Sequence, residues 1–235
     1  MIVVMAALPS DAPLPAGGDG SPGQPQFRYP AVLALMLTTV VFLIAAPGAN
    51  WSSAVGIAIE ASALVITVGT SRERESVRLR RAAVLAAAVL AAVILIWLGV
   101  VPRWLIFAAG IVVTAAIPAA LIQGLLRLLR REGVTFNAVA GSLAIYLSTG
   151  LIFAFIVGFV AQVGSTPYFA QHATDTQGDK VYYSFTVLTT TGFGDFTPAT
   201  AVGHSLAVIE MLVGQLYLVT VIGLLIGNFA SRRRT

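Results

Sequence analysis

Long runs of apolar positions, separated by short polar clusters, organise this chain. A bilayer hydrocarbon core about 30 Å thick takes about 20 consecutive apolar residues in a helix. Six stretches meet or approach that length: 30–46, 50–70, 82–101, 104–126, 136–163 and 202–229. Pro47-Gly48, an arginine-rich run at 72–81, a basic segment at 123–132 and a polar segment at 164–180 separate them. Pro118 inside the fourth stretch predicts a bend there. Between the fifth and sixth stretches sits a shorter aromatic piece, 181–188, long enough for half a span. The pattern predicts an all-α membrane protein: six transmembrane helices, with a short re-entrant helix and loop between helices five and six. Residues 1–8 are apolar but too short, and lack the basic start a signal peptide needs. Residues 9–26, rich in Pro, Gly, Ser and Asp, read as a disordered tail. Three parts follow: a cytoplasmic tail (1–29), a four-helix transmembrane unit (30–131) and a unit built on the last two helices (132–235).

Composition agrees. The chain has 235 residues, 57% of them hydrophobic and only 10% charged. That is more apolar surface than a soluble domain of this size can bury. There is no cysteine, which removes disulfides and thiolate metal sites. Two histidines, His172 and His204, are too few for a metal cluster. No nucleophile–base pair or phosphate loop is visible, so an enzyme is not expected. The net charge of +4 is carried by arginines at the ends of apolar stretches, a topology signal rather than a nucleic-acid one. A cytoplasmic N-terminus puts Arg28, five arginines at 72–81, Arg127, Arg130, Arg131 and the 232–234 triplet inside. It leaves only Arg103 and Lys180 outside, twelve against two. The same orientation brings Trp51, Trp97 and Trp104 to the outer interface, where indoles settle. Both termini are then cytoplasmic. Arginine in preference to lysine, with much alanine, fits a GC-rich bacterial genome.

The densest chemical signal is Thr189-Thr190-Thr191-Gly192-Phe193-Gly194-Asp195. Gly192 and Gly194 permit backbone angles closed to other residues. Alternating them with ordinary residues turns successive carbonyls to one side. Several copies around an axis would stack rings of oxygens able to replace the water around a small cation.

The stretch resembles the selectivity filter of the potassium-channel family, usually Thr-Val-Gly-Tyr-Gly-Asp. Thr190, Gly192, Gly194 and Asp195 match; Thr191 replaces Val or Ile, and Phe193 replaces Tyr. The resemblance implies potassium ions held by the carbonyls of Thr190, Thr191, Gly192, Phe193 and Gly194, with Asp195 at the outer mouth. It implies a homotetramer in a lipid bilayer, with potassium as the permeant ion and no cofactor. Tyr182, Tyr183 and Thr186 stand where the family supports its filter. Phe193 has no hydroxyl, so one usual bracing bond is absent, and the Thr191 hydroxyl needs a partner behind the filter. Gly214 stands where the family's inner helix often flexes. Gln215, Leu218, Ile222 and Ile226 follow at helical spacing and form the expected pore lining and gate. Gly223 and Gly227 are an alternative place for close packing or a lower hinge. The other readings are a less selective monovalent cation channel, because of Thr191, and a channel-like subunit of a potassium uptake transporter.

Two carboxylates lie at membrane depth, where each costs about 2.5–3.5 kcal/mol on insertion scales. Glu60 reads as a structural polar group. Glu210 sits roughly 140° around its helix from Gln215. It is expected behind the pore helix, tied to filter threonines, either as a fixed tie or as a protonation control. Asp175 and Asp179 read as solvated loop charges. The fourth stretch, 104–126, carries no charge, so voltage gating by an arginine ladder is not expected. Control is left to the membrane domain, the filter, the tail or a further regulatory subunit.

Overall fold

The computed structural model describes residues 29–46, 50–69, 101–132, 135–171 and 176–223. Among these are six α-helices and no strand: α1 (Tyr29–Ala45), α2 (Asn50–Gly69), α3 (Arg103–Glu132), α4 (Phe136–Val163), α5 (Gln177–Leu188) and α6 (Ala201–Tyr217). A five-residue π-helix, Leu218–Ile222, continues α6. The expected span at 82–101 and the arginine run at 72–81 lie outside the described residues. So do the tail, Ile226, Gly227 and the last arginines.

Among the described residues, three helical segments are long and apolar enough to cross a membrane: Arg103–Leu126, Phe136–Val163 and Ala201–Ile222. Helix α1 is apolar but shorter, at 17 residues. Helix α3 differs from expectation at its end. Its 30 residues run without a break to Glu132 and carry Pro118 inside, so 123–132 is the last part of this helix rather than a separate linker.

Helix α4 is the scaffold. Of its apolar window 61% is buried within the single chain, against 17% for α6 and 22% for α3. Thr135 starts it as N-cap, its hydroxyl accepting from the Ala138 N–H at 3.3 Å. Small residues then let large neighbours close in. Tyr29 of α1 lies over Gly141, Phe185 of α5 over Gly150 and Phe107 of α3 over Gly158. An added Cβ at any of the three would meet ring carbons at 2.2–2.8 Å. The main core joins Val32, Met36 and Leu43 of α1, Ala63 and Leu64 of α2, and Ile117, Leu121 and Leu125 of α3 to the small-residue face of α4.

Glu60 of α2 is fully buried in this peripheral part and accepts from the Thr114 hydroxyl of α3 at 2.5 Å. This contact gives the buried carboxyl a partner on the neighbouring helix, as its expected structural role requires.

Candidate functional site

Helix α5 is short and amphipathic, and its ends are fixed separately. At the start, the Thr176 hydroxyl accepts from the Asp179 N–H at 3.1 Å, while the Asp179 carboxylate accepts from the Thr176 N–H at 3.0 Å. This reciprocal cap uses Asp179 to satisfy free backbone donors and complements the helix dipole. Asp179 is therefore a capping group and not a solvated loop charge. Lys180 is buried as well. It is 1% exposed, with Nζ donating to the Thr176 carbonyl at 3.2 Å and lying 5.5 Å from the centre of the Phe107 ring of α3. Its long stem is buried while its ammonium reaches a carbonyl and a ring face. Asp175 lies outside the described residues.

At its other end α5 stops at Leu188, and Thr189 caps it in the right-handed region. The chain then changes character. Thr190, Gly192 and Gly194 have φ of 57°, 52° and 81°, alternating with residues of negative φ. The N–H groups of Thr191 and Gly192 both donate to the Thr186 carbonyl, at 2.9 and 3.1 Å, and the Thr190 N–H donates to the Val187 carbonyl at 2.9 Å. Thr186 thus holds the segment by its main chain, while its hydroxyl donates to the Tyr183 carbonyl at 2.8 Å. A Cβ added at Gly192 or Gly194 would meet nothing within 4 Å. Glycine is demanded there by the backbone angle and not by crowding. In the single chain every residue from Thr189 to Asp195 is exposed.

The side chains of this segment find local partners. The Thr191 hydroxyl lies 2.9 Å from that of Thr189, which also bonds the Phe185 carbonyl at 2.7 Å. Phe193 stacks on Tyr182, with rings 5° from parallel and centroids 6.3 Å apart. The Tyr182 phenol faces the Asp195 carboxylate. Tyr182 also meets Phe196 edge-on, and Phe196 meets Phe169. Tyr183 points the other way, into Tyr168 and Phe169. One aromatic cluster so connects the exposed segment to the loop before α5. That loop is pinned to the chain after Asp195. Ala170 N–H donates to the Thr197 carbonyl at 2.9 Å and Ala199 N–H to the Tyr168 carbonyl at 2.8 Å. The Gln171 amide both donates to the Thr197 hydroxyl and accepts from the Thr197 N–H.

Helix α6 runs behind α5. Gly203, Glu210 and Gly214 form its buried side, and Gln215 is exposed. A Cβ at Gly214 would lie 2.2 Å from the Leu188 carbonyl oxygen. Gly214, expected as a flex point, is in this conformation a packing position under the end of α5. The Tyr146 hydroxyl of α4 donates to the same carbonyl at 3.3 Å. Glu210 is fully buried, and its Oε1 is bonded to the Ser184 hydroxyl of α5 rather than to any of the threonines. Leu218 and Ile222 are half-buried and belong to the π-helix. A π turn holds an extra residue, which rotates everything after it by roughly 100° relative to a continuous α-helix. The expected row of Gln215, Leu218 and Ile222 runs through this turn, so Ile222 stands at a different angle from Gln215 than α-helical spacing gives.

Sequence reasoning missed Ser184, Tyr146, Tyr217 and Gln171. The two tyrosines carried a usable signal, since a hydroxyl inside an apolar span must find an acceptor. Tyr217 finds the Ser142 carbonyl at 2.8 Å. Ser184 and Gln171 carried none, because their partners are 26 residues away in sequence.

Residues 143–231 match the family model described as ion channel. No curated protein and no solved structure matches. The match covers less than half of the chain, and it includes α5, the exposed segment and α6. With the apolar spans it supports an ion channel of the membrane, a kind of protein that is not an enzyme.

Proposed function

We propose that the protein is a potassium-selective channel conducting passively through a homotetrameric pore in the cell membrane. Thr190, Thr191, Gly192, Phe193 and Gly194 serve as the filter, and Asp195 serves as its outer mouth. The observation that carries this is the alternation of positive φ at Thr190, Gly192 and Gly194 directly beyond the end of a short helix. Such a backbone presents several carbonyls together, and the helix directs its partial negative charge toward the same region. Exposure of the whole segment in one chain is consistent with its completion by other copies around an axis. Irregular backbone at membrane depth requires such cover by protein or water. Potassium is the cargo, held by main-chain oxygen rather than by a resident metal site.

Thr191 in the usual Val position keeps a less selective monovalent cation channel as the second reading. Its hydroxyl is engaged by Thr189 of the same chain, an arrangement that valine would not make. Purified protein in liposomes under a potassium gradient separates the two. Barium-sensitive potassium flux with little sodium flux supports the first reading. Equal sodium and potassium flux replaces it with the second.

A further inference from the structure

Ser184 sits at the meeting point of three helices. Its hydroxyl oxygen lies 2.7 Å from the Gly150 carbonyl of α4 and is bonded to Glu210 Oε1 of α6, while Ser184 itself belongs to α5. Both Ser184 and Glu210 are fully buried. A hydroxyl has one proton to give and can accept others. It cannot donate to a carbonyl and to an ionised carboxylate at once. If it serves Gly150, an ionised Glu210 faces it lone pair to lone pair; if it serves Glu210, the Gly150 contact is oxygen against oxygen. Both contacts are favourable together only if a second proton is present, and the carboxyl of Glu210 is the group that can carry it. A second observation agrees. The other carboxyl oxygen, Glu210 Oε2, is buried with no hydrogen-bond partner among the described residues. An ionised carboxylate with a bare oxygen is far costlier in an apolar interior than a neutral acid.

Among the described residues no cation is placed against Glu210. The titratable groups that act on Glu210 are phenols: Tyr146 of α4, Tyr183 of α5 and Tyr168 of the outer loop. On α6, one turn either side, stand Leu206, Ala207, Val213 and Gly214. Lys180, one turn before Ser184 on α5, carries its ammonium to the Thr176 carbonyl and the Phe107 ring.

We propose that Glu210 is a proton-carrying positioning residue: its carboxyl proton is donated to Ser184, whose hydroxyl proton is donated to Gly150, so that one relay locks α6, α5 and α4 together. The relay lies one turn above Leu188, where α5 meets the filter segment, so its link to conduction rests on the channel reading above. Removing the proton places a charge on Glu210, breaks one of the two bonds and loosens the seat of α5. Conduction therefore falls as pH rises through the titration of Glu210, by up to about tenfold per pH unit.

Infrared difference spectra of the full chain in lipid test the proton directly, whether or not the protein conducts. Subtracting Glu210→Gln from wild type at neutral pH should leave a protonated-carboxyl carbonyl band, and Glu60→Gln should not remove that band. Loss of carboxylate bands instead overturns the proposal. If Glu210→Gln does not fold, Ser184→Ala reads the same bond: the carboxyl band should shift, and an unmoved band overturns it. In flux measurements, wild type should lose conduction in alkali while Glu210→Gln, whose amide still donates, stays flat. Wild-type flux that does not change with pH, with the carboxyl band present, overturns the coupling of this proton to conduction and leaves the channel reading intact. Absence of potassium flux at every pH defeats the channel reading and leaves the spectral test of the proton standing.

Discussion

Gly192 and Thr190 show how differently two residues meet the same backbone requirement. Both have φ near +55°, a region that costs an ordinary residue about 1–2 kcal/mol. Gly192 enters it freely, and the open space around it means that size alone would allow a larger residue. Gly192→Ala should therefore fold, bind lipid and assemble as wild type does, yet lose most flux in liposomes, because strain moves the carbonyls. Normal flux in that variant would refute the filter reading. Tyr182 offers a finer test. Its phenol faces Asp195 and its ring backs Phe193, so Tyr182→Phe removes the hydroxyl and keeps the stack. Sustained current should decline faster in this variant, with conductance of newly opened pores unchanged. Ser184 and Gln171 were invisible in the sequence because each acts through a partner that only folding brings near.

Among the elements, α6 is where the sequence pattern misleads most. Helical spacing treats it as one continuous cylinder, but its buried side stops at Gly214 and a π turn begins at Leu218. Gly214 is close-packed beneath Leu188, and a methyl group there would overlap a carbonyl that α5 cannot easily move. Gly214→Ala should lower thermal stability by about 1–3 kcal/mol, as overpacking does, which a melting curve in detergent would show. A variant as stable as wild type would restore the view of Gly214 as a free hinge. The pairing of α2 with α3 makes a similar test of the peripheral helices. Thr114→Val keeps the shape but strips Glu60 of its donor, so it should cost about 1–3 kcal/mol without changing ion preference.

At the scale of the whole molecule, burial is uneven in a useful way. Helix α4 is enclosed by its own chain, while α6 shows Val202, Val208, Ile209, Leu212, Val213 and Leu216 on its surface. In the proposed tetramer these residues meet lipid, neighbouring subunits or the pore. Native mass spectrometry in mild detergent should find four copies of the 24.5 kDa chain; a monomer that conducts would defeat the assembly. The peripheral helices make a separate prediction. Moving one charge through 100 mV supplies about 2.3 kcal/mol, and the apolar length of α3 after Arg103 carries no charge to move. Neutralising Arg127, Arg130 and Arg131 together should leave the open probability's dependence on voltage unchanged in planar bilayers.

The sequence by itself determined the membrane class, the approximate places of α3, α4 and α6 and the presence of a half-length helix before the Gly-x-Gly run, though not that this helix starts at Gln177 or that α3 runs on to Glu132. These follow from hydropathy and from backbone angles that few residues adopt, both of which act locally. Only the tertiary structure decided what the buried polar groups do. Asp179 passed for a loop charge and Gly214 for a hinge, and the fold gives them a helix end to cap and a carbonyl to pack beneath; nothing in the sequence pointed Lys180 to the ring it lies against. Glu210 was readable as hidden but not as Ser184's partner. In an apolar interior a polar atom must be satisfied by whatever the packed helices bring within 3 Å, and sequence order does not encode which atom that will be.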